Sequence, residues 1–159
     1  MNKLYLTLGS KDYLLKLSDK NEETNLQLIS KPGQSQFGIL SQELLKGSSE
    51  AIQLNVKSEI TSISQDAQLI AFYYFVGEDK QAEIAEKTLT LNRNKLSQYG
   101  ASGVVWLQEN KNLHRYVLKA EFEDAISYQH FTNSQLLMSL ITNFYSSFNV
   151  LYTKGLDED

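Results

Sequence analysis

Two histidines, His114 and His130, and no cysteine are what this 159-residue chain offers to nucleophilic or metal chemistry. The absent thiol removes thiolate nucleophiles, disulfide frameworks and cysteine zinc sites together. HExxH, a glycine-rich phosphate loop and GxSxG are all missing. Gly100-Ala101-Ser102-Gly103 is small and loop-like, but it opens a strand and so presents no row of helix amides to a phosphate. Glu121, Glu123 and Asp124 cluster near a strand end. Paired carboxylates act as acid and base where burial drives their pKa values apart, and this segment reads as a solvated edge. Asp124 and His130 are spaced to form a hydrogen-bonded dyad, yet no nucleophile stands beside them, and two unlinked histidines do not make a metal site. Phe72, Tyr73, Tyr74 and Phe75 would stack bases only along a basic groove. With 15 Lys plus Arg against 19 Asp plus Glu, the net charge is −4 and no such groove is expected. Nucleic acid, catalysis, a cofactor and a metal are therefore not expected.

The elements that must position these residues begin with strands. Leu4, Leu6 and Leu8 alternate with Tyr5 and Thr7, Gly9 to Asp12 makes a turn, and Tyr13, Leu15 and Leu17 alternate again, which predicts a hairpin. Leu26 and Leu28 mark a third short strand, and Pro32-Gly33 punctuates the chain. Phe37, Leu40, Leu44 and Leu45 have roughly helical spacing before Gly47. A meander follows through Ile52, Leu54, Val56, Ile60 and Ile63 to the run Leu69–Val76, which is apolar on both faces and so is central or at an interface. Helical period returns from Asp79, a candidate N-cap, to Gln98, and Gly100 ends it. A hairpin pairs Val104–Leu107 with Leu113–Phe122; Tyr116, Leu118, Ala120 and Phe122 face a core, while Arg115, Lys119 and Glu121 face a wetter side. Thr132 to Gln135 fits a capping box with Phe131 and Leu136 as staple. Leu137, Leu140, Ile141, Phe144, Phe148 and Leu151 then make an amphipathic C-terminal helix that Gly155 stops, with Lys154 complementing its dipole. No internal repeat is visible. The apolar stretch after Met1-Asn2-Lys3 is too short for a signal peptide, and no run approaches a membrane span of roughly 18 apolar residues. The expected location is the cytoplasm, without membrane contact.

The run Leu69–Val76, the helix ending Leu89-Thr90-Leu91-Asn92, the hairpin Val104–Phe122 and the segment Phe148-Asn149-Val150-Leu151-Tyr152-Thr153-Lys154-Gly155 together resemble the class I type III secretion chaperones, the Tir-chaperone-like family. The resemblance is one of layout and hydrophobic rhythm over about three quarters of the chain. It implies an α+β fold, an antiparallel twisted sheet packed by helices with a C-terminal amphipathic helix, to which the alternation at the front of this chain adds extra N-terminal strands. The corresponding division is a strand-rich extension at 1–35, a chaperone-like α/β domain at 36–155 and an acidic tail at 156–159. The extension departs from the family, whose members begin almost directly with their first helix.

The resemblance further implies a non-enzymatic homodimer with a role in virulence, which binds the N-terminal segment of a secreted effector protein and keeps it soluble and extended. An extended segment can add a strand to an exposed sheet edge while its side chains enter pockets. The dimer interface would map onto Ala85, Leu89, Val105 and Trp106. Partner binding would map onto Leu40, Leu44, Ile60, Ile63, Phe72 and Tyr74. For each of these the core is an equally good place. An immunity or scaffold protein that binds a folded partner is the alternative, and a small-molecule reading would need a polar pocket that the sequence does not reveal.

Overall fold

A computed structural model of the chain describes residues 2–48 and 50–156. Its first half runs β1 (Lys3–Gly9), α1 (Lys11–Lys20), β2 (Leu26–Ser30), β3 (Phe37–Ser41) and β4 (Ile52–Glu59). The second half runs β5 (Leu69–Val76), α2 (Asp79–Leu91), α3 (Arg93–Gln98), β6 (Ser102–Glu109), β7 (Arg115–Phe122), α4 (Ala125–Thr132), α5 (Gln135–Thr142) and β8 (Ser146–Lys154). All eight strands close into one antiparallel barrel in the order β1-β3-β2-β8-β5-β7-β6-β4.

The order contains a repeat. In the first half β1 lies between β3 and β4, with β2 outside β3. In the second β5 lies between β7 and β8, with β6 outside β7. The halves join at two equivalent seams, β4 with β6 and β2 with β8. Each half is thus a strand–helix–strand–strand–connection–strand unit. In the second half that connection is α4 and α5; in the first it contains no helix among the described residues.

Three apolar layers hold this arrangement. Inside the barrel, Leu6, Ile29, Leu54, Phe72, Leu107 and Val117 form one core. Between the outer face of β5–β8 and the second half's helices lies a larger one containing Phe75, Leu89, Trp106, Phe122, Phe131 and Phe144. The third is small: Leu14 and Leu17 of α1 pack with Ile39 and Leu45. Apolar on both faces, β5 is central. Ile70, Phe72 and Tyr74 point into the barrel, while Ala71, Tyr73 and Phe75 point to the helices.

The structure corrects the expected fold class. No helix-packed open sheet with a C-terminal helix is formed; the sheet is closed, and β8 occupies the chain's end. Phe144, Phe148 and Leu151 are spaced for a helix, but Phe148, Val150 and Tyr152 also alternate, and Phe148–Lys154 is rich in β-branched and aromatic residues. The helical part is α4 and α5. Asp124 caps α4 by accepting from Ser127 N–H, and Ser134 caps α5 by accepting from Leu137 N–H. At the front, Tyr13–Leu17 is helical: Ser10 accepts from Tyr13 N–H, and Leu14 and Leu17 share the buried face at helical spacing. The helix expected around Phe37–Lys46 is instead β3 and the following loop. The boundary at residue 35 falls between β2 and β3, and strands on both sides of it build one barrel. Of the tail, residues 157–159 lie outside the described residues.

Candidate functional site at the barrel mouth

On β7 the inward positions are Arg115, Val117, Lys119 and Glu121, flanked by inward Ile70 and Phe72 of β5 in register. The side predicted to be wetter is the barrel interior, so Lys119 and Glu121 are carried into it, with Arg115 towards its other end. The Glu121 side chain is 2% exposed and that of Lys119 is 9%. Lys154 enters from the end of β8, two residues beyond inward-facing Tyr152. Glu121 bridges the two lysines: Oε2 lies 2.9 Å from Lys119 Nζ and Oε1 lies 2.7 Å from Lys154 Nζ. Unpaired, any one of these charges would be costly to bury; paired in this geometry, they are tolerated.

This cluster forms one wall of a cavity of about 300 Å³ at the mouth of the barrel. Leu4, Leu40, Ile70 and Val105 supply the apolar lining, and Asn25, Gln27, Gln42 and Glu59 add polar groups. Ile63 stands over it on the segment between β4 and β5. That segment is tied to β6 by Ile60 N–H to Val104 O and Gly103 N–H to Ser62 O bonds. Gly103 marks a register shift in β6, with φ +55°. A Cβ there would lie 2.6 Å from Ile63 Cγ1 and 2.9 Å from Glu121 Oε2. The glycine therefore lets backbone, loop and carboxylate approach one another.

The barrel's opposite end has different chemistry. Tyr74 stacks on Phe148 with ring centroids 4.7 Å apart, the Arg115 guanidinium lies about 6 Å from both rings, and Arg115 pairs with Glu109 at 3.5 Å. Burial pushes the Tyr74 phenol well above its ordinary pKa of 10.0. A larger groove of about 600 Å³ runs past Tyr5, Leu8, Leu44, Ile52 and Glu109. A third, of about 530 Å³, lies between α2 and β6–β7, where Tyr116 donates to Asp79 Oδ1 at 2.6 Å. His114 borders this groove and faces Glu78 at 3.6 Å, whereas exposed His130 packs edge-on against Tyr99. Among the described residues no three His, Asp or Glu side chains gather closely enough to hold a metal ion.

The residues singled out from the sequence are distributed unevenly. Of the carboxylate cluster, Glu121 is buried and the exposed Glu123 and Asp124 are not beside it in the mouth. Hydrogen bonds from the α4 backbone, led by Ser127 N–H, hold the Asp124 pKa below its ordinary value; its role is capping. Ala85, Leu89 and Trp106, expected at a dimer interface, lie in the helix–sheet core, and Val105 lines the mouth. Of the partner-binding set, Leu40 lines the mouth, Phe72 and Tyr74 fill the barrel, and Ile60 joins the helix-side core. Leu44 and Ile63 are exposed. Sequence reasoning missed Lys119 and Lys154 as site residues. The available signal was a run of charges, Arg115, Lys119 and Glu121, on one phase of a strand whose other phase is apolar, and Lys154 following Phe148, Val150 and Tyr152 on one phase of β8.

No family model and no curated sequence matches the chain significantly. Solved structures do share its fold. An uncharacterised ferredoxin-fold protein from Listeria monocytogenes 4b F2365, related to antibiotic biosynthesis monooxygenases, superposes with TM-score 0.80 at 15% identity, over 99% of this chain and 96% of that one. A heme-degrading enzyme from Listeria monocytogenes gives 0.75 at 17%, over 95% and 98%. A major regulator of staphylococcal pathogenesis gives 0.76 at 17%, over 95% and 98%. At these identities the likeness establishes the fold.

That fold overturns the resemblance to secretion chaperones, and with it the inferred effector partner, type III secretion role and link to virulence. The physical reason is closure: every barrel strand already has two neighbours, so no free edge remains for an effector segment to extend. The expectation of a non-enzymatic protein is corrected as well. It rested on finding no assembled polar groups and no pocket, and the structure assembles both; a heme-degrading enzyme has this same fold. The immunity or scaffold alternative loses its basis for the same reason. No helix among the described residues is long and apolar enough to cross a membrane.

Proposed function

We propose that the chain binds a compact small molecule at the mouth of its barrel, where Lys119, Glu121 and Lys154 orient the ligand. The observation that carries this reading is a charged cluster, with Lys119 and Glu121 buried, in the wall of a cavity of about 300 Å³ whose remaining lining mixes apolar and polar side chains. Small-molecule sites are concave and mostly apolar, with a few placed polar groups, and start near this volume. Apolar residues would fill the same wall at lower desolvation cost. The monooxygenase-related and heme-degrading proteins that share the fold support a small-molecule ligand. The cytoplasmic location expected from the sequence is kept as part of this reading.

Heme itself fits these residues poorly. Neither histidine lines the mouth cavity. The helix–sheet layer is filled by Phe75, Trp106, Phe122, Phe131 and Phe144. The groove that His114 borders has Asp79, Glu83 and Glu86 in its walls, which repel propionates. No step through heme is assigned.

A fragment library titrated against methyl-labelled protein tests the reading. Ligands are expected to shift the Leu4, Leu40, Ile70 and Val105 methyls and to raise Tm as binding to the native state requires. Val105→Trp, which fills the cavity, is expected to abolish both effects. Fragments that shift only methyls elsewhere, or that bind Val105→Trp unchanged, would overturn it.

A further inference from the structure

We infer that the mouth's ligand is a compact organic monocarboxylate, whose two oxygens bridge the ammonium groups of Lys119 and Lys154 on the side opposite Glu121. The inference rests on the reading of the mouth as a small-molecule site and adds its chemical class. Three observations carry it.

Charge comes first. The cluster holds two ammonium groups and one carboxylate, a surplus of one positive charge in a wall where the Lys119 side chain is 9% exposed. The cavity's other acid, Glu59, is exposed and pairs with neither lysine, so within the cluster itself the positive charge has no second direct counter-ion. Donor count comes second. An ammonium carries three N–H donors; among the described residues Lys119 donates one of them to Glu121 Oε2, and Lys154 meets Glu121 Oε1 as an ion pair. Unspent donors on a poorly hydrated ammonium favour an anionic oxygen, which forms the stronger charge-assisted bonds.

Geometry comes third. The two ammonium groups are spaced so that one carboxylate reaches both, at 2.9 and 2.7 Å from its two oxygens. A ligand carboxylate would span the same two ammonium groups from within the cavity that they line. It would complete a ring of alternating charge with no net surplus. The rest of the ligand must then lie against Leu4, Leu40, Ile70 and Val105 beneath Ile63. That calls for an apolar body small enough for about 300 Å³. An amine would add charge to the surplus, and a dianion would leave one negative charge uncompensated in an apolar lining.

The test is calorimetric and methyl-NMR titration of the full chain with straight-chain acids from acetate to octanoate and with benzoate, each beside its amide, and with benzylamine. At least one acid is expected to bind one-to-one and to shift the Ile70 and Val105 methyls, with its amide weaker by about tenfold or more. Lys154→Met is expected to weaken the acid by a similar factor, and Lys154→Arg to retain most of the affinity. Lys119→Met provides a second variant, and circular dichroism confirms that each is folded. Amides or benzylamine binding as well as the acids, or an acid unaffected by both methionine variants, overturns the carboxylate inference. In that case the small-molecule reading survives if the same methyls move and Val105→Trp blocks them. If no compound in the series moves those methyls, the small-molecule reading falls and takes the inference with it.

Discussion

Glu121 differs from Glu123 and Asp124 less in chemistry than in what surrounds it. Two residues along the chain, Glu123 is exposed, while Glu121 sits between two ammonium groups inside the barrel. Removing one member of a buried charge cluster leaves the others uncompensated, which typically costs about 3–5 kcal/mol. Lys154 keeps some contact with water, so Glu121→Gln is expected near the lower end, about 3 kcal/mol in urea unfolding. Glu123→Gln is expected to fall within about 0.5 kcal/mol of the parent. Equal effects of the two substitutions would contradict the burial of Glu121.

Strand β6 shows how one element sets the mouth's shape. Its register on β7 shifts between Ser102 and Val105, and Gly103 takes a positive φ that lets Ile63 and Glu121 close over it. Gly103→Ala would place a methyl against both and force a conformation unfavourable for alanine. The expected result is a loss of about 1–3 kcal/mol, with NMR shifts concentrated at Ile63 and Glu121. An alanine variant as stable as the parent, with those resonances unmoved, would show that the close approach is not needed. Helix starts act more locally: Ser10, Asp124 and Ser134 each satisfy an otherwise unpaired amide and so help fix where α1, α4 and α5 begin.

For the whole molecule, the barrel stabilises by enclosing its interior, and the enclosed tyrosines link that enclosure to pH. Desolvation by burial raises the phenol pKa of Tyr73 and Tyr74 well above the ordinary 10.0. A raised folded-state pKa means that the neutral phenol is the native form. The stability it contributes is complete below pH 10.0 and is lost as pH climbs from there through the folded value. Alkaline titration followed by tyrosinate absorbance and far-ultraviolet circular dichroism is therefore expected to show Tyr73 and Tyr74 ionising only together with unfolding. A single smooth ionisation with the fold intact would refute the enclosure of Tyr73 and Tyr74.

How much was legible in the sequence follows from which interactions are local. The strands from Leu69 to Phe122 and the helical stretch between them could be read directly from period and glycine stops, although that stretch, expected as one segment capped by Asp79, is two helices, α2 and α3, with Glu78 as the cap. The C-terminus was misread because Phe144, Phe148 and Leu151 satisfy a helical spacing while Phe148, Val150 and Tyr152 satisfy a strand, and only pairing of β8 with β5 chooses between them. Tertiary structure alone decided closure, since the β2–β8 and β4–β6 seams join segments distant in sequence and leave no local mark. Closure in turn decided the candidate site. The alternation on β7 already separated Lys119 and Glu121 from Leu118 and Ala120, but whether their side met water or an interior depended on the strands that came round to enclose it.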